Sequence, residues 1–108
     1  MEISFQTKAL RDTCESEELL VQRYGLKVAQ LAMRRLADLR AAITVGDIAV
    51  GNPRIVRGSR AMRVDLCDGF EIIFRANHTQ GPLDADGKLD WPAVKRIKIM
   101  KIGSSGDA

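Results

Sequence analysis

Aromatic residues are scarce in this chain, at 5% of 108 positions: three Phe, one Tyr and one Trp. So few cannot furnish the stacking platform on which RRM-like or OB-like surfaces hold bases. Cysteine occurs twice, at Cys14 and Cys67, far apart and in no CxxC pattern. A small secreted domain held by bridges would carry more, so the pair reads as reduced thiols in a cytosolic protein. Histidine occurs once, at His78. With so few soft ligands, four closely spaced zinc donors cannot be assembled, and neither metal nor cofactor is expected. No apolar run is long enough to span a bilayer. The first ten residues contain Glu2 and Lys8 and no apolar core, so they do not read as a signal peptide. Neither a glycine-rich phosphate loop, nor a dinucleotide fingerprint, nor a nucleophile elbow occurs.

What is present is an ordinary globular balance, 45% hydrophobic and 29% charged, in a length that suits one domain with one modest core. Seventeen Lys and Arg against fourteen Asp and Glu leave a net charge of +3. That excess alone says little about an anionic partner.

The pattern along the chain predicts an α+β domain, with an N-terminal strand and helices packed on an antiparallel sheet. Residues 1–5 alternate, with Met1, Ile3 and Phe5 on one face, as a half-buried strand does. Thr7 is an N-cap candidate for a short helix over 8–14, and Ser16 with Glu17 and Glu18 opens another helix that runs to Tyr24, where Gly25 ends or kinks it. Val28, Leu31, Ala32, Leu36, Leu39 and Ile43 then form a stripe at three-and-four spacing, predicting a helix that fades near 43–46. An irregular stretch over 45–53 follows, punctuated by Gly46, Gly51 and Pro53.

The next segment predicts a hairpin, with strands over 62–66 and 70–74. Its turn is either a two-residue Asp68-Gly69 turn or a three-residue loop with Gly69 left-handed. The loop pairs Leu66 with Phe70, Val64 with Ile72 and Met62 with Phe74, gathering six apolar residues on one face; register follows the buried face, so the loop is the turn expected. It sets Arg63, Asp65, Glu71, Ile73 and Arg75 on the other face. There Asp65 opposes Glu71, a repulsive pair unless Arg63 or another cation offsets it. A long polar loop over 77–90 leads to a capped helical turn at Asp90-Trp91-Pro92-Ala93 and a last strand over 95–102. Gly103 to Ala108 is small and polar. The domain is drawn over 1–103, with 104–108 as a flexible tail.

Four arginines, Arg54, Arg57, Arg60 and Arg63, fall at every third residue. Regular strand alternates faces, so they cannot all line one flat surface, but a loop at Gly58-Ser59 would gather them. Arg75, Lys95, Lys98 and Lys101 come from neighbouring strands. The guanidinium fork matches phosphate, so a face with several arginines fits a phosphate backbone. A solvated face balanced by Asp65, Asp68 and Glu71 fits the spacing equally well. His78 has the intrinsic pKa of a general base, but its place in a polar loop favours an incidental surface residue. Cys14 and Cys67 have no activating neighbour in sequence and read as inert.

The order of elements, with several short stretches, resembles the RelE/ParE toxin superfamily and its HigB-type branch. The stretches are Glu2-Ile3-Ser4-Phe5 with Thr7-Lys8-Ala9-Leu10, Cys14-Glu15-Ser16-Glu17, and Tyr24-Gly25. Val64-Asp65-Leu66 with Gly69-Phe70-Glu71-Ile72-Ile73-Phe74, then Asp90-Trp91 and Ile97-Lys98-Ile99, complete the set. They span nearly the whole chain, and their order rather than any single motif carries the resemblance. It implies the toxin of a type II toxin–antitoxin system: a cytoplasmic mRNA interferase that inhibits growth by cutting mRNA on the translating ribosome. It also implies neutralisation by a HigA-like helix-turn-helix antitoxin. The implied chemistry is metal-free, with attack by the RNA 2′-hydroxyl on the adjacent phosphate.

On this resemblance the catalytic candidates are Arg57, Arg63 and Arg75, and the RNA-binding candidates are Arg54, Arg57, Arg60 and Lys98. Arg57-Gly58 falls where the family usually has Lys-Gly, and Arg54 near a position often held by His. Glu71 stands where the family usually has Arg, and Ser104, Ser105 and Gly106 stand where it commonly has Asp-Tyr-His. Those departures raise a second expectation: a non-enzymatic binding protein on the same fold, either a gyrase-inhibiting ParE-like toxin or a catalytically degenerate one that still binds an antitoxin.

Overall fold

The computed structural model describes residues 1–56, 60–79 and 81–104. Strand β1 (Glu2–Phe5) opens the chain, and Thr7 then caps helix α1 (Lys8–Cys14), its Oγ1 accepting from the Leu10 amide at 3.1 Å. Ser16 does the same for α2 (Glu17–Tyr24), accepting from the Leu19 amide at 3.2 Å, with Glu17 and Glu18 in the positive first turn. Gly25 separates α2 from α3 (Leu26–Ala41) at φ +87°; a Cβ there would meet nothing within 4 Å, so the backbone angle and not space calls for glycine.

Three helices therefore lie between β1 and the remaining strands. The expected stripe is buried in α3 at Val28, Ala32, Leu36 and Leu39, joined by Ala29. Its last member departs from expectation: α3 stops at Ala41, and Ile43 is 73% exposed. The cause is a capping box one residue on. The Asp47 carboxylate accepts from the Thr44 amide at 3.1 Å and from its hydroxyl at 3.3 Å, opening a 3-10 turn over Val45–Asp47. That turn buries Val45, whose amide donates to the Val94 carbonyl at 2.9 Å, in place of Ile43.

Four strands of the second half join β1 in one five-stranded sheet, in the order β1-β5-β4-β3-β2. Strand β2 (Arg54–Ile55), where the sequence pattern gave no strand, edges β3 (Ala61–Asp65), which makes the hairpin with β4 (Phe70–Ala76). The register is that of the three-residue loop: Val64 faces Ile72, Met62 faces Phe74, and the Leu66 amide donates to the Phe70 carbonyl at 2.9 Å. Gly69 takes φ +79°, as expected, and Asp68 before it takes +55°. Strand β5 (Arg96–Ser104) lies between β4, to which it is antiparallel, and β1, to which it is parallel. The sheet is thus mixed rather than wholly antiparallel.

Strand β5 also runs past Ile102, because Gly103 pairs with Glu71 and Ser104 with Phe70, so these two residues belong to the sheet and not to a tail. The remainder of the expected tail, 105–108, lies outside the described residues. A bulge between Ile73 and Phe74 shifts the register so that Ile73 opposes Lys101 while Phe74 opposes Ile99, leaving Met100 as the extra residue. It resets the side-chain phase, which is why Ile97, Ile99 and Ile102 are all buried.

The helices cover one sheet face. Leu20, Ala29, Ala32, Leu36 and Leu39 share a core with Val64, Ile72, Phe74, Ile97 and Ile99. Trp91 opens a 3-10 turn (Trp91–Ala93) and meets Phe74 edge to face at 6.2 Å. Asp90 is the N-cap of that turn, its backbone carbonyl accepting from the Ala93 amide at 3.0 Å without a side-chain capping bond. Among the described residues, no helix is long and apolar enough to cross a membrane.

Candidate nucleic-acid interface

Strand alternation sends Arg54 of β2, Arg63 and Asp65 of β3, Glu71, Ile73 and Arg75 of β4, and Lys98 of β5 to the face away from the helices. This face divides into two halves of different electrostatic character.

The β2–β3 half is compensated. Asp65 lies directly opposite Glu71, and two arginines hold the two carboxylates. Arg54 Nη2 is 2.9 Å from Asp65 Oδ1 and 4.0 Å from Glu71 Oε2; Arg63 Nη1 is 3.7 Å from Glu71 Oε2. Arg54 also donates to the Asn52 carbonyl at 3.0 Å. The hydrogen bond from Arg54 holds the Asp65 carboxyl below its ordinary value, against the opposing effect of burial. The same bond fixes Arg54 yet more firmly in its charged form. Glu71 is 2% exposed, and its Oε2 has ion-pair neighbours but no hydrogen bond among the described residues. Two arginines and two carboxylates sum to zero, so this quartet presents little net field to an incoming anion.

The β4–β5 half is not compensated. Arg75 faces Lys98 across the strand pair, and among the described residues neither lies in a salt bridge. Arg75, Lys98, Asn77, Gln6, Ala76 and Met100 line a shallow depression of about 120 Å³. On the other side of Arg75, a pocket of about 200 Å³ is lined by Arg60, Arg75, Ala76, His78, Thr79, Gly81 and Leu89. Arg75 is the side chain shared by both. At the far edge of the sheet, Arg96 is engaged by Glu2 at 2.7 Å.

The candidates read from the sequence thus separate. Arg60, Arg75 and Lys98 come together; Arg54 and Arg63 join the quartet; Arg57 lies outside the described residues, as does the Gly58-Ser59 loop expected to gather the series. His78, read as incidental, accepts at Nε2 from the backbone amides of Lys95 (3.1 Å) and Arg96 (3.3 Å), tying the polar loop to the start of β5. Nothing in the sequence signals that tie. The Glu71 quartet was half legible, since the hairpin register alone sets Asp65 against Glu71. Cys14 is buried, and burial pushes its thiol up to about 11, which keeps it protonated and unreactive. Among the described residues no group of three His, Cys, Asp or Glu is placed to hold a metal ion.

Comparison with family models, curated proteins and solved structures returned no match to this chain.

Proposed function

We propose that this protein is the toxin of a type II toxin–antitoxin pair, on a RelE/ParE-like fold of HigB type, and that it engages mRNA on the ribosome through the cationic half of its open sheet face. The observation that carries the reading is the in-register pair Arg75 and Lys98, flanked by Arg60, with no carboxylate counter-ion among the described residues. Phosphate contacts of this kind position a nucleic acid without reading its bases, which suits a surface poor in aromatics.

In the cleaving form of this proposal, a 2′-hydroxyl of the bound RNA attacks the adjacent phosphorus and the bond to the 5′-oxygen breaks. The products are a 2′,3′-cyclic phosphate and a new 5′-hydroxyl. The proton leaves the 2′-oxygen for a base, and an acid supplies one to the departing 5′-oxygen. Arg75 and Lys98 stabilise the charge that builds on the phosphorane oxygens. A HigA-like helix-turn-helix antitoxin would neutralise the toxin in the cytoplasm.

A second reading, a binding protein without cleavage, is favoured by one observation: Arg63 and Arg54 are held by Glu71 and Asp65 rather than open to substrate. It would act as a gyrase-inhibiting ParE-like toxin or as a degenerate toxin that retains its antitoxin. Mapping 5′ ends of mRNA on purified programmed ribosomes separates the two. New ends within the A-site codon support the nuclease. Intact mRNA with folded, monodisperse protein moves the reading to binding, and gyrase supercoiling and antitoxin binding are then measured.

A further inference from the structure

The molecule has larger depressions than the pocket beside Arg75, but they are chemically different. One, of about 760 Å³ between β1, α1 and the end of α3, mixes Lys8, Arg11 and Arg40 with Asp12 and Glu15. Two of those cations are already paired, Lys8 with Asp12 within α1 and Arg11 with Glu15 at its C-terminal cap. A groove of about 440 Å³ between the end of α3 and Val50 is mostly apolar, with Asp38 and Asp47 on its rim. By contrast, the pocket at the β3–β4 end combines converging arginines with a lining free of carboxylates among the described residues.

Its four polar side chains share one property. Arg60 and Arg75 are permanently charged donors, and neither is in a salt bridge among the described residues. Thr79 brings a hydroxyl that rotates to suit its partner. His78 is the informative member. Its Nε2 lone pair is consumed by the Lys95 and Arg96 amides, so the ring proton sits on Nδ1 and the ring offers no free lone pair. Among the described side chains that line this pocket, an anion therefore meets groups that can donate and no carboxylate. The same geometry argues against His78 as a general base, because its accepting nitrogen is occupied by the backbone. At about 200 Å³ the pocket holds several water volumes of roughly 30 Å³ each, ample for one tetrahedral phosphate.

We infer that this pocket is a seat for a single phosphate group, gripped by Arg60 and Arg75, with His78 and Thr79 completing the donor set. The inference deepens the function proposed above and rests on it only for the RNA origin of the phosphate. Lys98, on the far side of Arg75, then extends the track toward the next backbone phosphate. Because both arginines belong to exposed surface, replacing them leaves the core untouched.

The test is an amide NMR titration of the intact protein with inorganic phosphate at constant ionic strength set by chloride. Saturable shifts are expected at Arg75, His78 and Thr79. Arg60→Gln and Arg75→Gln should each weaken binding tenfold or more, while Lys27→Gln, on α3, should leave it unchanged. Overlay of the remaining amide peaks verifies that each variant is folded. Shifts that grow without saturation, or that saturate equally in Arg75→Gln, would overturn the pocket. Saturable binding here with uncut ribosomal mRNA keeps the pocket and removes the nuclease. Cleavage without saturable phosphate binding keeps the nuclease and removes the pocket.

Discussion

Replacing Glu71 with Gln removes one negative charge from the open sheet face while conserving volume, so two effects of opposite benefit should appear together. In the wild-type protein the Glu71 carboxylate is 3% exposed and lies 3.7 Å from Arg63 and 4.0 Å from Arg54. Breaking a buried ion pair by removing one partner costs about 3–5 kcal/mol when the remaining charge is stranded. Here the stranding is incomplete: Arg54 keeps Asp65, and the Arg63 side chain is 28% exposed, so water takes up part of the loss. A destabilisation of about 1–3 kcal/mol follows, or a fall in Tm of roughly 4–20 °C for a domain near this size. The same change frees Arg63, so single-stranded RNA should bind roughly three- to tenfold more tightly at low salt, with a log–log salt slope steeper by about 0.7. Urea unfolding gives the first quantity and fluorescence anisotropy with a short labelled RNA gives the second. If stability stays within about 0.5 kcal/mol of wild type and RNA affinity does not move, the quartet is not a charge-compensated unit and the division of the face into two halves is wrong.

Three further outcomes follow from the same structure. Gly51→Ala should cost about 2–4 kcal/mol in urea unfolding, since its φ is +81° and an added Cβ would sit 2.3 Å from Val64 Cγ1; unchanged stability would refute that contact. The Arg54 hydrogen bond lowers the Asp65 carboxyl from 3.8, so between the two states the unfolded chain binds more protons; the stabilisation is present above about pH 4 and is lost as pH falls through the native value. With the side chain 43% exposed, solvent screening limits this contribution to under about 1 kcal/mol, and Asp65→Asn should remove it from the acid limb of a stability–pH curve. Cys14, with its thiol raised from 9.0 to about 11 by burial, should resist alkylation at pH 8 until the protein unfolds, and its contribution to stability should be lost as pH rises from 9 through 11, because the unfolded thiol ionises first. Rapid native labelling at Cys14, followed by peptide mapping, would show that the site opens locally.

The parts of the fold that were legible in the sequence are those governed by short-range rules. Thr7 and Ser16 cap helices because a side-chain oxygen three residues before an amide has few better uses. The hairpin register follows from which pairing buries Val64, Ile72, Met62 and Phe74 together, and Gly69 supplies the left-handed residue that the loop needs. The misplaced end of α3 has an equally local cause, the Thr44–Asp47 box, whose competition with a continuing apolar stripe at Ile43 is invisible to periodicity alone. The Met100 bulge was hidden for another reason: Ile97, Ile99 and Ile102 break period two, and only the partner strand reveals that one residue has been looped out. At the site, the cations were legible but their partners were not. Which arginine is neutralised depends on a buried carboxylate across two strands, and which histidine nitrogen is occupied depends on backbone seventeen residues away.

Whether RNA lies on the β4–β5 half of the open face, as proposed, is tested by a single map. Amide and arginine side-chain resonances would be followed as a short uncleavable RNA, 2′-deoxy at each position that could be cut, is titrated into the protein. Shifts should concentrate at Arg60, Arg75, Asn77, His78 and Lys98, with little change at Arg54 and Asp65, and binding should be lost in an Arg75→Ala, Lys98→Ala double variant. Shifts centred on α1 and α2, or full affinity in that double variant, would contradict that placement.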